Sequence, residues 1–534
     1  MWRSRLSSLS SKLLSKSTSV IALVLIGLVY FLGIRSERTG FVREVLDPSL
    51  KRIAQPVLNA FRGRPPAVMQ LHLALGNTTL DSLATGYAAS RSSGWLDPGG
   101  TAIVGRCAID ERATDAYITL RPGRIDPEKK NRWPFQVLLQ RTDTVLRIQS
   151  FDLVPVNDDT PLRMWLLSSA LQDQGLPSFS VELVEVQLNE RNLGLYRMEE
   201  RLDSATLSRW ARGKGPVVRF DDELRSSVEE AKLGATFPVA PLPQEDWLAA
   251  PIMAAQGTGR YQDASAARRY QHAVQQLEGF RSGRIPPADV FDVAATARLF
   301  ALCDVLGGQQ ATSWWNMRFL LDSLSERLIA VPQHGASFEP ITTITALQDN
   351  ASVHFPSSKS GFRDRLFGDA VFFRAYIACL DTFSTEGWLE SLLRRVSSGY
   401  NTQERIVVGE YPQPRPDASV FAHNRDVVIR TLRPPDLALA YAQENVAPER
   451  ELALANVHAL PVEVTAFIAG TDTVPFPAPL LLWPREPEKP LIYSPARIRL
   501  PRGFQGPVAL LVNVLGMDES RRIVVRTWSS FTAN

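Results

Sequence analysis

The run VELVEVQLNERNLGLYRMEERLD, residues 181–203, decides how this chain is read. Val184, Val186 and Leu188 alternate with Glu185 and Gln187, the period-two pattern of a strand with one buried face. Asn189 to Asn192 interrupts the alternation and Gly194-Leu195-Tyr196 restarts it, so a β-hairpin is the simplest structure. Three carboxylates follow, Glu199, Glu200 and Asp203, ahead of a helix expected over Ala205 to Ala211. Carboxylates suit the positive end of a helix dipole. An ordinary hairpin running into an acidic helix start therefore accounts for them without any chemistry.

Working outward, Ala67 to Leu120 is strand-like in VMQLHLAL, GTAIVGRCAI and DAYITL, with His72 read as a half-buried strand residue. Asp158-Asp159-Thr160-Pro161 reads as a helix start, and Gly175-Leu176-Pro177 closes the helix over Leu162 to Gln174. VVRFDDE (217–223) reads as a strand, and Glu230 to Thr258, rich in Ala and Pro, as surface loops. Ala264 to Phe280 is an amphipathic helix. Asp292 caps the helix ATARLFALCDVL, and Gly307-Gly308 ends it. Helices are expected over Phe362 to Ser398 and from Arg425 to Pro434-Pro435. From Arg450 onward, short strands at regular spacing with Gly and Pro turns predict a small β-sandwich.

The length of 534 residues allows two or three domains, and a net charge of +3 with no basic stripe argues against nucleic acid. Cys107, Cys303 and Cys379 are too scattered for a disulfide framework or a CxxC metal site, and Cys303 reads as core. STSVIALVLIGLVYFLGI (17–34) carries no charge and is about long enough to cross a bilayer. A cleaved signal peptide is the rival reading, but Phe31-Leu32-Gly33-Ile34 is not a small-x-small cleavage site. Basic residues flank both ends. The short basic leading tail favours a single-pass inner-membrane protein with its body periplasmic or extracellular.

The wording of LNERNLGLYRMEERLD resembles the signature of the bacterial CotH family, kinase-like proteins first known from spore coats. That signature is an apolar strand, Leu-Asn-Gly, a spacer, Gly-x-Tyr, and an acidic pair followed by Asp. Asn189, Gly194, Tyr196, Glu199, Glu200 and Asp203 fit it, while Glu190 stands where the family has glycine. A second similarity lies in Leu120-Arg121-Pro122-Gly123 and Arg132-Trp133-Pro134-Phe135-Gln136, where Arg121 and Arg132 replace lysines. The resemblance implies an α+β, two-lobed, kinase-like body. It implies Arg121, Arg132, Glu199, Glu200 and Asp203 as cofactor-binding residues, and Asn316, Glu200 and Asp304 as catalytic candidates. Exposed basic residues on a loop are the plainer account of Arg121 and Arg132.

The layout expected is tail and anchor at 1–36, stalk at 37–66, a β-rich lobe at 67–230, a helical lobe at 231–445 and the β-sandwich at 446–534. The same resemblance places Asn316 where the family has its catalytic-loop Asn, but Ala311 where an acid belongs. Pro332-Gln333-His334-Gly335-Ala336 stands where the family carries two metal-binding acids. Phosphoryl transfer needs Mg²⁺ on hard oxygen ligands and a carboxylate at the incoming hydroxyl. His334 is a nitrogen ligand, and alone it makes no metal site. One expected function is a pseudokinase or scaffold acting through envelope protein partners, in envelope or exopolymer assembly, without cofactor or metal. The alternative is a working kinase using ATP and Mg²⁺. A third reading, carbohydrate binding through Trp314, Trp315 and the C-terminal sandwich, competes with tryptophan's more usual place in the core.

Overall fold

The computed structural model describes residues 66–527 apart from 98–101, 127–131, 144, 211–214, 236, 238, 240–243, 257–260, 262, 334–337, 349–360, 411–418, 443–448, 485–489, 501–503 and 505. The anchor expected at 17–34, nearly all of the stalk, His334 and Ala336 lie outside the described residues. Among those described, no helix is long and apolar enough to cross a membrane. The chain from Val68, less the 126–130 loop, forms one unit.

The first part runs β1 (Met69–Ala74), α1 (Asn77–Ser90), β2 (Trp95–Leu96), β3 (Ile103–Ile109), β4 (Arg112–Leu120), β5 (Gly123–Arg124), β6 (Phe135–Leu139), β7 (Ser150–Pro155), α2 (Thr160–Asp173), β8 (Val181–Leu188) and β9 (Arg191–Glu200). Seven of these strands close into a barrel in the order β1-β3-β4-β6-β7-β9-β8, and β2 pairs with β5 alone. The interior is aliphatic and aromatic, with Leu71, Cys107, Ile118, Phe135, Phe151, Val186 and Tyr196 all buried. His72 is half-buried on β1, as its alternation predicts. Strands alone were expected before Leu120. The helix α1 differs because it buries only Leu83 and Tyr87, too few to imprint a helical period.

The hairpin β8–β9 is the one read from 181–203. Its positive φ falls on Asn189, at 50°, a residue that tolerates the left-handed region. The Asn189 side chain accepts from Leu75 N at 2.8 Å and donates to Leu75 O at 3.1 Å. The turn is thereby sewn to the end of β1, along the parallel β1–β8 seam that closes the barrel.

Next come α3 (Ser204–Arg209), β10 (Val217–Phe220), α4 (Glu223–Gly234), β11 (Ile252–Ala254), α5 (Ala264–Ser282), α6 (Val293–Leu306), β12 (Met317–Leu321) and β13 (Leu328–Pro332). The four strands form a sheet ordered β11-β10-β12-β13. The expected strand VVRFDDE stops at Phe220, and α4, beginning at Glu223, runs into the stretch from Glu230 where loop is expected. Asp292 caps α6 through Ala295 N, and Gly307, with φ 72°, ends it. Cys303 is fully buried in α6. Phe220 meets Trp247, Trp314, Phe319 and Phe362 edge-on at ring-centroid distances of 5.6, 6.0, 6.0 and 6.3 Å. Such edge contacts add to the burial energy of the rings.

The remainder is α7 (Phe362–Phe367), α8 (Ala370–Ser384), α9 (Trp388–Glu410), α10 (Ser419–Leu432) and then strands β14 (Ala438–Ala442), β15 (Glu449–Asn456), β16 (Val462–Ala469), β17 (Asp472–Leu482), β18 (Ser494–Arg499), β19 (Val508–Val514), β20 (Arg521–Val524) and β21 (Arg526–Thr527). The strand-rich end starts at Ala438, earlier than expected, because β14 pairs with β15. Its strands form two sheets, β18-β15-β14-β21 and β17-β16-β19-β20. Both contribute to the apolar core that fills the helical region. Arg374 on α8 holds the buried Glu463 of β16 through both guanidinium nitrogens. The fold is thus mixed α+β.

Candidate binding cleft

A cleft of about 1010 Å³ opens among the described residues. Trp95 and Arg124, from the β2–β5 pair, line it together with Arg225, Ser226, Glu229 and Lys232 of α4. Gln309, Gln310, Ser313 to Trp315, Glu339 to Thr342, Gln348 and Arg363 supply further lining. The wall at 339–341 is pinned to the end of α6. Glu339 N donates to Gly307 O at 3.2 Å, and Ile341 N donates to the Asn424 side chain at 2.9 Å. A Cβ on Gly307 would lie 2.2 Å from Glu339 O, so glycine serves there both for its φ and for the close approach.

Beneath the cleft sits Asp304, fully buried on α6. It accepts from Gln309 Nε2, Thr345 N at 3.0 Å, Thr345 Oγ1 at 2.6 Å and the Tyr376 hydroxyl. Burial pushes its carboxyl above the usual range, against the pull of these hydrogen bonds. Gln309 continues the network to Gln348, and Gln348 to Arg363, whose Nη2 also reaches Gln309 O at 3.0 Å and Thr312 Oγ1 at 3.2 Å. Ala311 is buried in the same turn. The Asn316 side chain donates to Gln310 O at 2.9 Å, and its carbonyl accepts from Gln333 N at 2.8 Å. Asn316 thus shapes the turn into β12.

The other predicted residues gather at the barrel. Arg121 donates to Asp152 at 2.9 Å and lies 4.0 Å from Glu199, while Arg201 reaches the other Asp152 oxygen at 3.2 Å. Glu199 also pairs with Arg197. Glu200 accepts from Ser180 N, Thr206 Oγ1 and Arg209, and burial raises its carboxyl against the pull of Arg209. Asp203 caps α3 through Thr206 N and accepts from Gln149 N and Ser150 N. Arg132 lies apart, bonded to Glu410 at 2.6 Å and Val156 O at 3.0 Å. Arg121, Arg132, Glu199, Glu200 and Asp203 are absent from the cleft lining. Their contacts hold β7, β9, α3 and α9 together.

Sequence reasoning missed Trp95, Arg124, Arg225, Asp246 and Arg363. Arg225 lies over Trp315, its guanidinium carbon 3.7 Å from a ring centroid, and its Nε is 2.7 Å from Asp246 Oδ2. Trp314 is buried and donates Nε1 to Asp246 Oδ1 at 3.1 Å. Trp314 is buried and Trp315 is covered by Arg225, so the pair does not form the open stacking platform that the carbohydrate reading would need. On β12, burial and the neighbouring Arg219 push the Arg318 guanidinium down to about 10. It donates to Trp315 O and Met317 O. Among the described residues, no group of three or more His, Cys, Asp or Glu side chains is placed to hold a metal ion. The arrangement can bind planar, cationic or hydrogen-bonding groups.

No protein-family model matches the chain, and no curated protein matches it either.

Proposed function

We propose that the chain is a CotH-like pseudokinase, a two-lobed scaffold anchored at the cell envelope by 17–34 and binding protein partners through its cleft. In this reading the barrel is the first lobe, the helical region the second, and the two C-terminal sheets the faces of the small β-sandwich. The supporting order is helix α6, an irregular turn, the hairpin β12–β13 and the Gln333 turn, which follows the kinase-like order that the sequence resemblance implies.

The observation that carries the silent reading is Ala311. By the sequence resemblance it stands where the family has its catalytic acid, and it is fully buried against the core. The nearest acid in sequence, Asp304, is committed to four donors beneath the cleft. Positioned charge supplies nearly all catalysis in phosphoryl transfer, so a buried methyl at that place removes it. The test is incubation of the full chain with labelled ATP and Mg²⁺ or Mn²⁺. No transfer to itself or to a generic protein substrate is expected. Asp222 also lines the cleft, and transfer that disappears in Asp222→Asn would establish the active-kinase alternative instead.

A further inference from the structure

None of the described side chains of α4, Glu223 to Leu233, is buried. A helix of that length is marginal in water and needs tertiary contacts to persist. It lies between the cleft and a second pocket of about 370 Å³, lined by Glu223, Leu224, Arg225 and Ser227 of the helix and by Asp246, Ala249 and Pro251 opposite. Arg225 and Trp314 line both cavities. Lys232, further along α4, pairs within the helix with Glu229. Arg225 reaches out of it, to Trp315 and Asp246.

What receives Arg225 belongs to the rest of the molecule. Trp314 is buried among Phe220 and Trp315. The Asp246 side chain is only 5% exposed. An indole face, a second indole edge-on to it and a carboxylate held by that second indole make a receptor for a planar cation. Guanidinium suits it better than ammonium, because it stacks flat and bonds in its own plane. Were α4 to lift, Asp246 would lose its cation while still held beside the two indoles by Trp314 Nε1, and a carboxylate in such surroundings favours a replacement cation. The open form therefore calls for another cation in the same place.

We propose that Trp315, Trp314 and Asp246 form a guanidinium-binding site for an arginine-bearing segment of a partner protein, occupied in the free protein by Arg225 on a displaceable α4. This rests on the reading of the cleft as a partner-binding site. The partner's arginine displaces Arg225, α4 swings out, and the two cavities merge into one groove. No bond is made or broken in the exchange.

The experiment uses the full chain and two blocked tripeptides, acetyl-Gly-Arg-Gly-amide and its lysine counterpart, followed by calorimetry and by hydrogen exchange over 223–234. Arg225→Gln empties the site without touching a buried residue. It should bind the arginine peptide at least about tenfold more tightly than the wild type, and prefer it to the lysine peptide. Exchange over 223–234 should rise in Arg225→Gln without the peptide, and in the wild type at saturating arginine peptide. Adding Asp246→Asn, which keeps an acceptor for Trp314, should abolish the gain in affinity. Equal affinity in wild type and Arg225→Gln, indifference to Asp246→Asn, or unchanged exchange over 223–234 would each overturn the proposal. Phosphoryl transfer by the wild type would overturn the silent reading and leave this outcome unaffected.

Discussion

Tyr376 donates its hydroxyl to Asp304, 72 residues away in the chain, where both side chains are buried. The pair ties α8 to α6 directly under the cleft. Asp304→Ala would strand Thr345 N and Tyr376 without this acceptor, while Gln309 Nε2 keeps Thr343 O at 2.9 Å, and should cost about 3 kcal/mol. Asp304→Asn should cost far less, since one amide oxygen can keep the donors on Oδ1 while the amino group donates to Tyr376. Urea unfolding of the two variants checks this, and equal losses would contradict it.

The same carboxyl makes stability depend on pH. Its folded pKa lies above the ordinary value, near 4, that the unfolded chain has. Between the two values the folded state binds more protons. Stability is therefore fullest below about pH 4 and falls as pH rises through the window up to the raised folded pKa. Asp304→Asn should remove this contribution, seen as a difference between the stability–pH curves of variant and wild type. Parallel curves would mean that Asp304 ionises normally.

Gly194 has φ 86°, and a Cβ there would lie 2.6 Å from Arg132 Nη2. That guanidinium cannot easily retreat, because Glu410 and Val156 O hold it. Gly194→Val should therefore destabilise the barrel by about 1–3 kcal/mol. Unchanged melting would show that β9 does not take this turn.

Arg209 is the cation beside the buried Glu200. Arg209→Ala should cost about 3 kcal/mol by leaving that carboxylate unpaired. Glu200→Gln in the same background should restore part of the loss, because the glutamine keeps partners in Ser180 and Thr206. A double-mutant cycle showing no coupling would dismiss the pair as a structural element.

The anchor can be tested by removing residues 1–36. A single uncharged span should supply the membrane affinity, so the remainder should partition into the soluble fraction. Truncated protein that still pellets with membranes after a high-salt wash would place the attachment elsewhere.

Elements that bury a clean face could be read directly. Val184, Val186 and Leu188 announce β8, and Asp292 with Gly307 brackets α6, because the signal is local. The helices α1 and α4 were missed because, among the described side chains, two and no buried residues leave little periodic trace. Closure of the barrel was not legible, since it depends on pairing Met69–Leu73 with Val184–Leu188 far along the chain. The cleft was hidden for a similar reason. Trp95, Arg124, Arg225, Asp246 and Arg363 come from separate segments with no common motif. Glu199, Glu200 and Asp203 were conspicuous in sequence, yet what they visibly do is bind arginines and backbone amides within the barrel.

The β1–β8 seam sets a timetable for synthesis. Gln70 and Glu185, partners across it, are 115 residues apart. At ribosomal speeds β1 emerges roughly 6–23 s before the strand that completes its outer edge. Throughout that interval the nascent barrel exposes an open row of amides and carbonyls that a neighbouring chain on the same messenger could pair with. Faster translation between codons 75 and 185 should therefore favour monomeric product, and crowded polysomes should favour aggregates joined through β1.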